Sequence, residues 1–284
     1  MSLFKKKKNG KIDSKEVGLE ASLMIFNFFL KTEYLHYGYF INGLEADVTN
    51  LKKAHENYTE MLISHIPAGT KTILDVGCGS GKTAQVLSLK GYQVDCVSPG
   101  QLLTSYARKI TPEQVQFYQC KFENIITAKK YDLILFSESF QYIPMDKSIL
   151  NAKSLLNGGG YIMISDFFNN DPEHKSKLGG GHDYAKWLQF KDSYGIKTLV
   201  ENDITAETAP TISIGDQFYS EVLGPVWSSV WALVEDKFPL VVKLVRRIYR
   251  KKIAKLEKTH FSGEINGENF IKYKKYMFYL FQVE

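Results

Sequence analysis

Asp75 stands two residues ahead of Gly77-Cys78-Gly79-Ser80-Gly81, and the apolar pair Ile73-Leu74 leads into it. Alternating glycines after a buried strand let the backbone turn tightly and approach a ligand with no Cβ between. The helix expected from Lys82 onward presents unpaired N–H groups at its start. Three chemistries use such a turn. A dinucleotide fingerprint, GxGxxG, requires glycine where Lys82 stands. A phosphate loop finds its ending in Gly81-Lys82-Thr83 but needs its first glycine at Val76. Each mismatch removes a glycine that backbone phosphate binding requires. An acidic residue two positions before GxGxG fits throughout.

The elements around this turn must hold it at the edge of a sheet. Short apolar runs predict strands at Lys71–Val76, Tyr92–Val97, Val115–Cys120, Asp132–Phe136 and Gly160–Ser165. Helical patterns fall between them at Lys82–Lys90, Leu102–Ile110 and about 146–156. Strands alternating with helices imply a parallel sheet covered on both faces. Uninterrupted apolar runs such as Leu133-Ile134-Leu135-Phe136 are what doubly covered strands look like. Helices are expected near 14–31 and 46–65 before this core. After a glycine- and lysine-rich loop at 169–182 come a helix near 183–194 and a strand near 197–203. Helices near 215–236 and 240–258 and a last strand at Tyr273–Val283 complete the chain. The domains expected are an N-terminal helical lid (1–65), an α/β core (66–205), a helical insertion over the substrate (206–264) and a final core strand (265–284).

The stretch ILDVGCGSG, placed after a strand, resembles the class I S-adenosylmethionine-dependent methyltransferases, and the likeness is clear over about 66–168. It implies a Rossmann-like α/β fold, with a mostly parallel seven-stranded sheet, helices on both faces and helical lid elements at both ends. It also implies S-adenosyl-L-methionine as cofactor and S-adenosyl-L-homocysteine as product. Asp75 and the backbone of Gly77, Cys78 and Gly79 would hold the methionine portion. The family's acidic residue for the ribose hydroxyls falls on Ser98, which cannot bind a diol as a carboxylate does, so Gln101 or backbone groups are expected to share that task. The acidic slot for the adenine falls on Lys121, leaving Glu123 or the backbone of Phe122. The segment from Asp132 through Ser137, Glu138, Gln141 and Tyr142 resembles the strand end that faces the methyl group.

Methyl transfer draws much of its rate from holding nucleophile and methyl at attack distance, and a base helps when the acceptor is a hydroxyl. The candidate catalytic residues are His36, Glu138 and His182, the last following Gly179-Gly180-Gly181 in a hinge-like setting. Tyr37, Tyr39, Gln141, Tyr142 and Trp227 are candidates for the acceptor pocket; for the aromatics, plain core packing is the competing explanation. An aromatic lining suits a lipid-like, isoprenoid or aromatic acceptor, methylated at oxygen or carbon. A cyclopropane-synthase-like lipid modification, a nucleic-acid methyltransferase and an inactive cofactor-binding scaffold are the alternatives. The histidines and acidic residues show no metal-ligand spacing.

Of the 284 residues, 44% are hydrophobic and 24% charged, with a net charge of +5. Lys5–Lys8 with Lys11, and the eight Lys or Arg of residues 239–258, together outweigh that total, so the remainder is acidic. This argues against a nucleic-acid-binding core. The basic segment after Pro239 repeats its apolar residues at helical spacing, the pattern of a helix that lies on an anionic membrane surface. It is also the pattern of a helix packed on the core with a solvated charged face. Three cysteines without a CxxC pair fit a reducing compartment. No stretch of ~20 apolar residues is present to span a bilayer, so a cytoplasmic protein, peripheral at most, is expected.

Overall fold

A computed structural model describes residues 14–173 and 178–283. The lysine run at 5–11 and residues 174–177 of the glycine–lysine loop lie outside the described residues, as do the side chains of Lys255, Leu256 and Lys258. Helix α1 (Ser14–Ile25) continues as one wide turn to Leu30, and α2 (Leu51–Ser64) follows. The core then alternates: β1 (Thr72–Val76), α3 (Lys82–Leu89), β2 (Gln93–Val97), α4 (Gln101–Ile110), β3 (Gln116–Tyr118), β4 (Tyr131–Ser137), α5 (Met145–Leu155) and β5 (Leu156–Asn169). A two-residue strand β6 (His182–Asp183) leads to α6 (Tyr184–Lys191) and β7 (Ile196–Asp203). Helices α7 (Thr205–Phe218), α8 (Gly224–Lys237), α9 (Pro239–His260) and α10 (Gly267–Tyr273) precede the last strand, β8 (Lys274–Val283).

The strands lie in the order β3-β2-β1-β4-β5-β8-β7, with β6 beside β5. The pairs from β3 to β5 are parallel, and β8 runs antiparallel between β5 and β7. This is the seven-stranded, mostly parallel sheet expected, with one added short strand. Its burial explains the apolar runs. Leu74, Ile134, Phe136, Ile162 and Ile164 pack into one layer, while Ile73, Leu133, Leu135 and Met163 pack into the other. Successive side chains point to opposite faces of a strand, so a strand covered on both sides has no polar position to spare. Each such side chain contributes roughly 1.5–3 kcal/mol by leaving water.

Two expectations change. The helix placed near 215 starts at Thr205 and passes through Pro210. A proline reads as a stop because it lacks an N–H and crowds the preceding turn; here it costs one intrahelical bond that packing against α10 and β8 offsets. Helix α10 went unread, because seven residues ending at a strand show too little periodicity. Among the described residues, no helix is long and apolar enough to cross a membrane.

Candidate active site

Parallel strands deliver their carboxyl ends to one edge of the sheet, and ligands of open α/β folds bind there. Here that edge gathers Asp75 and Gly77 from β1, Ser98 after β2, Ser137 and Glu138 at the end of β4, and Asp166 on β5. The glycine turn fits a ligand. Gly77, Gly79 and Gly81 hold φ values of +77°, +54° and +83°, the left-handed region that only glycine enters without cost. A Cβ on Gly77 would lie 2.5 Å from that of Ser139, and one on Gly81 would lie 2.6 Å from that of Ala107. A Cβ on Gly79 would meet only Leu35, at 3.8 Å, so this peptide alone faces open space. Beside it, Asp75 is 2% exposed, and its Oδ2 is buried without a hydrogen-bond partner among the described residues. Burial raises its pKa to about 7. A buried carboxylate oxygen left unpaired calls for a cation or donor from outside the chain. These features fit the amino-acid end of S-adenosylmethionine.

The other cofactor candidates divide by which of their groups face that edge. The side chain of Cys78 turns into the apolar layer with Cys96, so only its backbone belongs to the turn. Phe122 is likewise buried, its ring edge-on to Phe136 at 5.4 Å, and its carbonyl accepts from Asn151 Nδ2 at 2.6 Å. Glu123 is half-buried, Lys121 exposed, and Gln101 exposed at the start of α4. The N-terminal segment is tied over the turn: Ser80 Oγ donates to the Glu33 carbonyl at 2.5 Å, and Lys82 pairs with the Glu33 carboxylate at 3.1 Å. Tyr106 on α4 donates to the same carboxylate at 2.9 Å.

At the end of β4 stands Glu138. It holds φ +55°, uncommon for a residue with a side chain and a strain of about 1–3 kcal/mol. Its backbone N–H donates to Ser165 O at 2.8 Å, which fixes the bend. Its Oε1 accepts from Tyr37 N at 2.6 Å and from the Tyr276 hydroxyl at 2.8 Å. The Tyr276 hydroxyl lies 2.9 Å from that of Tyr58, which donates to Ser165 Oγ at 2.7 Å and approaches Ser137 Oγ at 3.4 Å. Enclosure raises the Glu138 pKa to about 8; the two hydrogen bonds oppose that rise, and the nearby Asp166 adds to it. Asp166 is fully buried, accepts from Gln141 N, Gln141 Nε2 and Phe167 N, and is raised by burial to about 7. Tyr37 and Tyr276, the two donors to Glu138, pack with Phe167 and Phe270 in an aromatic cluster with ring centroids 5.7 to 6.4 Å apart.

The two candidate histidines lie in different surroundings: both ring nitrogens of His36 and the Nε2 of His182 are engaged by protein groups. His36 Nδ1 lies 2.8 Å from the Tyr37 carbonyl, so that nitrogen carries the proton, and Nε2 accepts from the Thr59 hydroxyl at 3.2 Å. The ring stacks on Tyr58 at 4.3 Å, and burial lowers its pKa to about 4. It is a neutral packing residue with no free lone pair. His182 Nε2 donates towards the carbonyls of Phe140 and Ile143, at 3.0 and 2.9 Å, and so holds the turn that follows β4. Gln141 is committed at both ends of its amide, to Asp166 and to Gly181 N at 3.1 Å. Tyr37 belongs to the aromatic wall, Tyr39 lies half-buried beside α2, and Tyr142 is 63% exposed at the mouth. Trp227 packs on Trp231 and donates to Glu257 of α9 at 3.3 Å, in a groove of about 240 Å³ between α8 and α9. Asp166, Tyr58 and Tyr276 were missed. Only Asp166 left a signal, an acid interrupting the apolar run Tyr161–Phe168.

Comparison with known proteins agrees with this geometry. A family profile described as a methyltransferase domain matches residues 52–202. Ubiquinone biosynthesis O-methyltransferase of Coxiella burnetii is 29% identical over an alignment of 158 residues that covers 48% of this chain and 66% of that protein. The chain thus spans just under two-thirds of that relative's length. The Azotobacter vinelandii protein of the same name is 25% identical over an alignment of 162 residues that covers 51% of this chain and 70% of its own. Among solved structures, the cyclase SpnF superposes with a TM-score of 0.66 at 15% identity, covering 95% of this chain and 94% of its own. Geranyl diphosphate C-methyltransferase of Streptomyces coelicolor A3(2) gives 0.64 at 12% identity, covering 97% and 100%. Likeness at that level carries the fold alone, and one of these neighbours is named for a different reaction.

Proposed function

The chain belongs to the class I S-adenosylmethionine-dependent methyltransferases, and from that premise we propose that it methylates a small hydrophobic acceptor, lipid-like, isoprenoid or aromatic, at a hydroxyl oxygen. The observation that carries this reading is the Glu138 carboxyl, beside the aromatic cluster, with both of its hydrogen bonds on Oε1. Its Oε2 takes no hydrogen bond from the described residues. Apolar walls with a few convergent polar groups suit an apolar acceptor that carries one reactive hydroxyl. The resemblance to O-methyltransferases of ubiquinone biosynthesis favours oxygen over carbon and a quinone-precursor type of acceptor.

When bound, S-adenosylmethionine supplies a methyl carbon activated by its sulfonium charge. Asp75 Oδ2 and the open Gly79 peptide would hold the amino-acid end of that cofactor. Glu138 Oε2 would take the proton of an acceptor hydroxyl, while Tyr276 and the Tyr37 amide keep Oε1 in place. A carboxyl whose pKa lies near 8 is matched to this task, because a general base works best with a pKa near the working pH. The glycine turn and the aromatic wall then exclude water from the transfer.

A second part of this reading concerns where the acceptor is met. On α9, Leu240, Leu244 and Ile248 form an exposed stripe, 80%, 58% and 63% accessible, while Val242 is buried beneath. Lys243, Arg246, Arg247 and Arg250 flank the stripe. Exposed apolar residues between cations suit the surface of an anionic bilayer, and a cytoplasmic enzyme resting there would meet a lipid-like acceptor directly. The test is radiolabelled methyl transfer from S-adenosylmethionine to prenylated catechols, with product masses. Methylation of an oxygen supports the proposal. Calorimetric binding of the cofactor with no transfer to any hydrophobic hydroxyl defeats it.

A further inference from the structure

Strand β2 ends without a carboxylate, yet a carboxylate stands at its end. Glu16 reaches over from α1, and its Oε1 accepts from the backbone N–H of Leu102, in the first turn of α4, at 2.8 Å. Gly100 makes room for it. A Cβ at Gly100 would lie 3.3 Å from Glu16 Oε1 and 3.9 Å from Ser98 Oγ. The carboxylate and the serine hydroxyl therefore flank one point at the carboxyl end of β2. One strand away, at the end of β1, is Asp75 with its buried, unpartnered Oδ2. Glu33, the other acidic side chain that the N-terminal segment brings over the turn, pairs with Lys82. No cation among the described residues pairs with Glu16.

We infer that Glu16 supplies the carboxylate for the ribose hydroxyls of S-adenosylmethionine, a role that Ser98 cannot fill by itself. The inference rests on the reading of the glycine turn as the cofactor cradle. A vicinal diol offers two O–H donors. A carboxylate has acceptor sites for both, whereas one hydroxyl or one amide oxygen engages them less fully. The partial positive charge at the start of α4 favours an anion there, so Glu16 is held in place before any ligand arrives. Because Glu16 belongs to α1, tight nucleoside binding requires that helix to be docked.

The test compares S-adenosylhomocysteine with its 2′,3′-dideoxy counterpart, by titration calorimetry on the full chain and on Glu16→Gln. Glutamine keeps a carbonyl oxygen for the Leu102 amide but loses the negative charge and the second acceptor oxygen. We expect S-adenosylhomocysteine to bind about tenfold more weakly or worse, in line with a lost charged hydrogen bond. Binding of the dideoxy compound should stay unchanged. Equal losses for both compounds would reduce Glu16 to a structural tie and overturn the inference, as would no loss for either. If the unsubstituted protein binds neither compound, the cofactor reading itself fails, an outcome visible before any substitution is made.

Discussion

The Tyr276 hydroxyl donates to Glu138 Oε1 over 2.8 Å, joining the last strand of the sheet to the end of its fourth. The insertion of β8 antiparallel beside β5 makes this contact, and it turns one carboxyl oxygen into an anchored group while the other stays available. Replacing Glu138 with Gln should therefore keep the fold and cofactor binding but lower kcat on a hydroxyl acceptor by about 10²–10⁴-fold, the usual worth of a positioned base. Single-turnover rates beside cofactor calorimetry measure both. An unaffected kcat would remove Glu138 from the chemistry.

Replacing Tyr276 with Phe should act in the same direction and more mildly. The carboxyl keeps the Tyr37 amide but loses a donor that favours its charged form, so its pKa rises further. The pH at which kcat reaches half its maximum should then move upward relative to the parent. A pH–rate profile of the two proteins checks this, and coincident profiles would contradict it.

Stability should depend on pH with a definite sign. Asp75, Asp166 and Glu138 are raised in the folded chain to about 7, about 7 and about 8, from ordinary values of 3.8, 3.8 and 4.5. A carboxyl with a raised folded pKa stabilises the fold fully below its unfolded pKa, and that contribution is lost as pH rises through the folded value. The melting temperature of the ligand-free protein should fall between pH 5 and about 8, and Asp166→Asn should flatten that fall. Differential scanning calorimetry across this range is the measurement.

The two glycines of the turn should fail for different reasons. Ala at position 77 meets Ser139 at 2.5 Å and must lower the melting temperature. Ala at position 79 has room, since only Leu35 lies within 4 Å. It adds only the left-handed backbone cost of about 1–2 kcal/mol. Its methyl group projects into the cofactor cradle, so Gly79→Ala should fold but bind S-adenosylhomocysteine poorly. Thermal melts paired with calorimetry separate the two effects.

Vesicle binding should follow the charge of α9. Sedimentation with vesicles rich in phosphatidylglycerol should carry the protein down at low salt, and much less at 0.5 M salt, because screening weakens exposed charges within about one Debye length. Arg246→Glu with Arg247→Glu should abolish it without altering cofactor affinity. Equal binding to neutral vesicles would point to apolar contact alone.

How far the sequence spoke on its own depended on whether the physical cause was local. The glycine turn was legible because φ above zero leaves a residue type behind, and the buried strands because double coverage demands unbroken apolar runs such as Leu133–Phe136. Asp75, Gly79, Ser137 and Glu138 could be assigned to strand ends for that reason, each a short count from an apolar run. The long-range partners left no such mark. Tyr58 and Tyr276 meet across 218 positions, and Glu16 reaches Leu102 across 86; a tyrosine or glutamate on an amphipathic element reads the same whether or not it meets anything. Histidine shows the converse: its chemistry is visible in the sequence, but the carbonyls that His36 and His182 meet are brought to them only by the fold. Composition and spacing thus determined the architecture and the cofactor edge, whereas the surroundings of Glu138 depended on which side chains the β8 insertion and the docked N-terminal segment bring together.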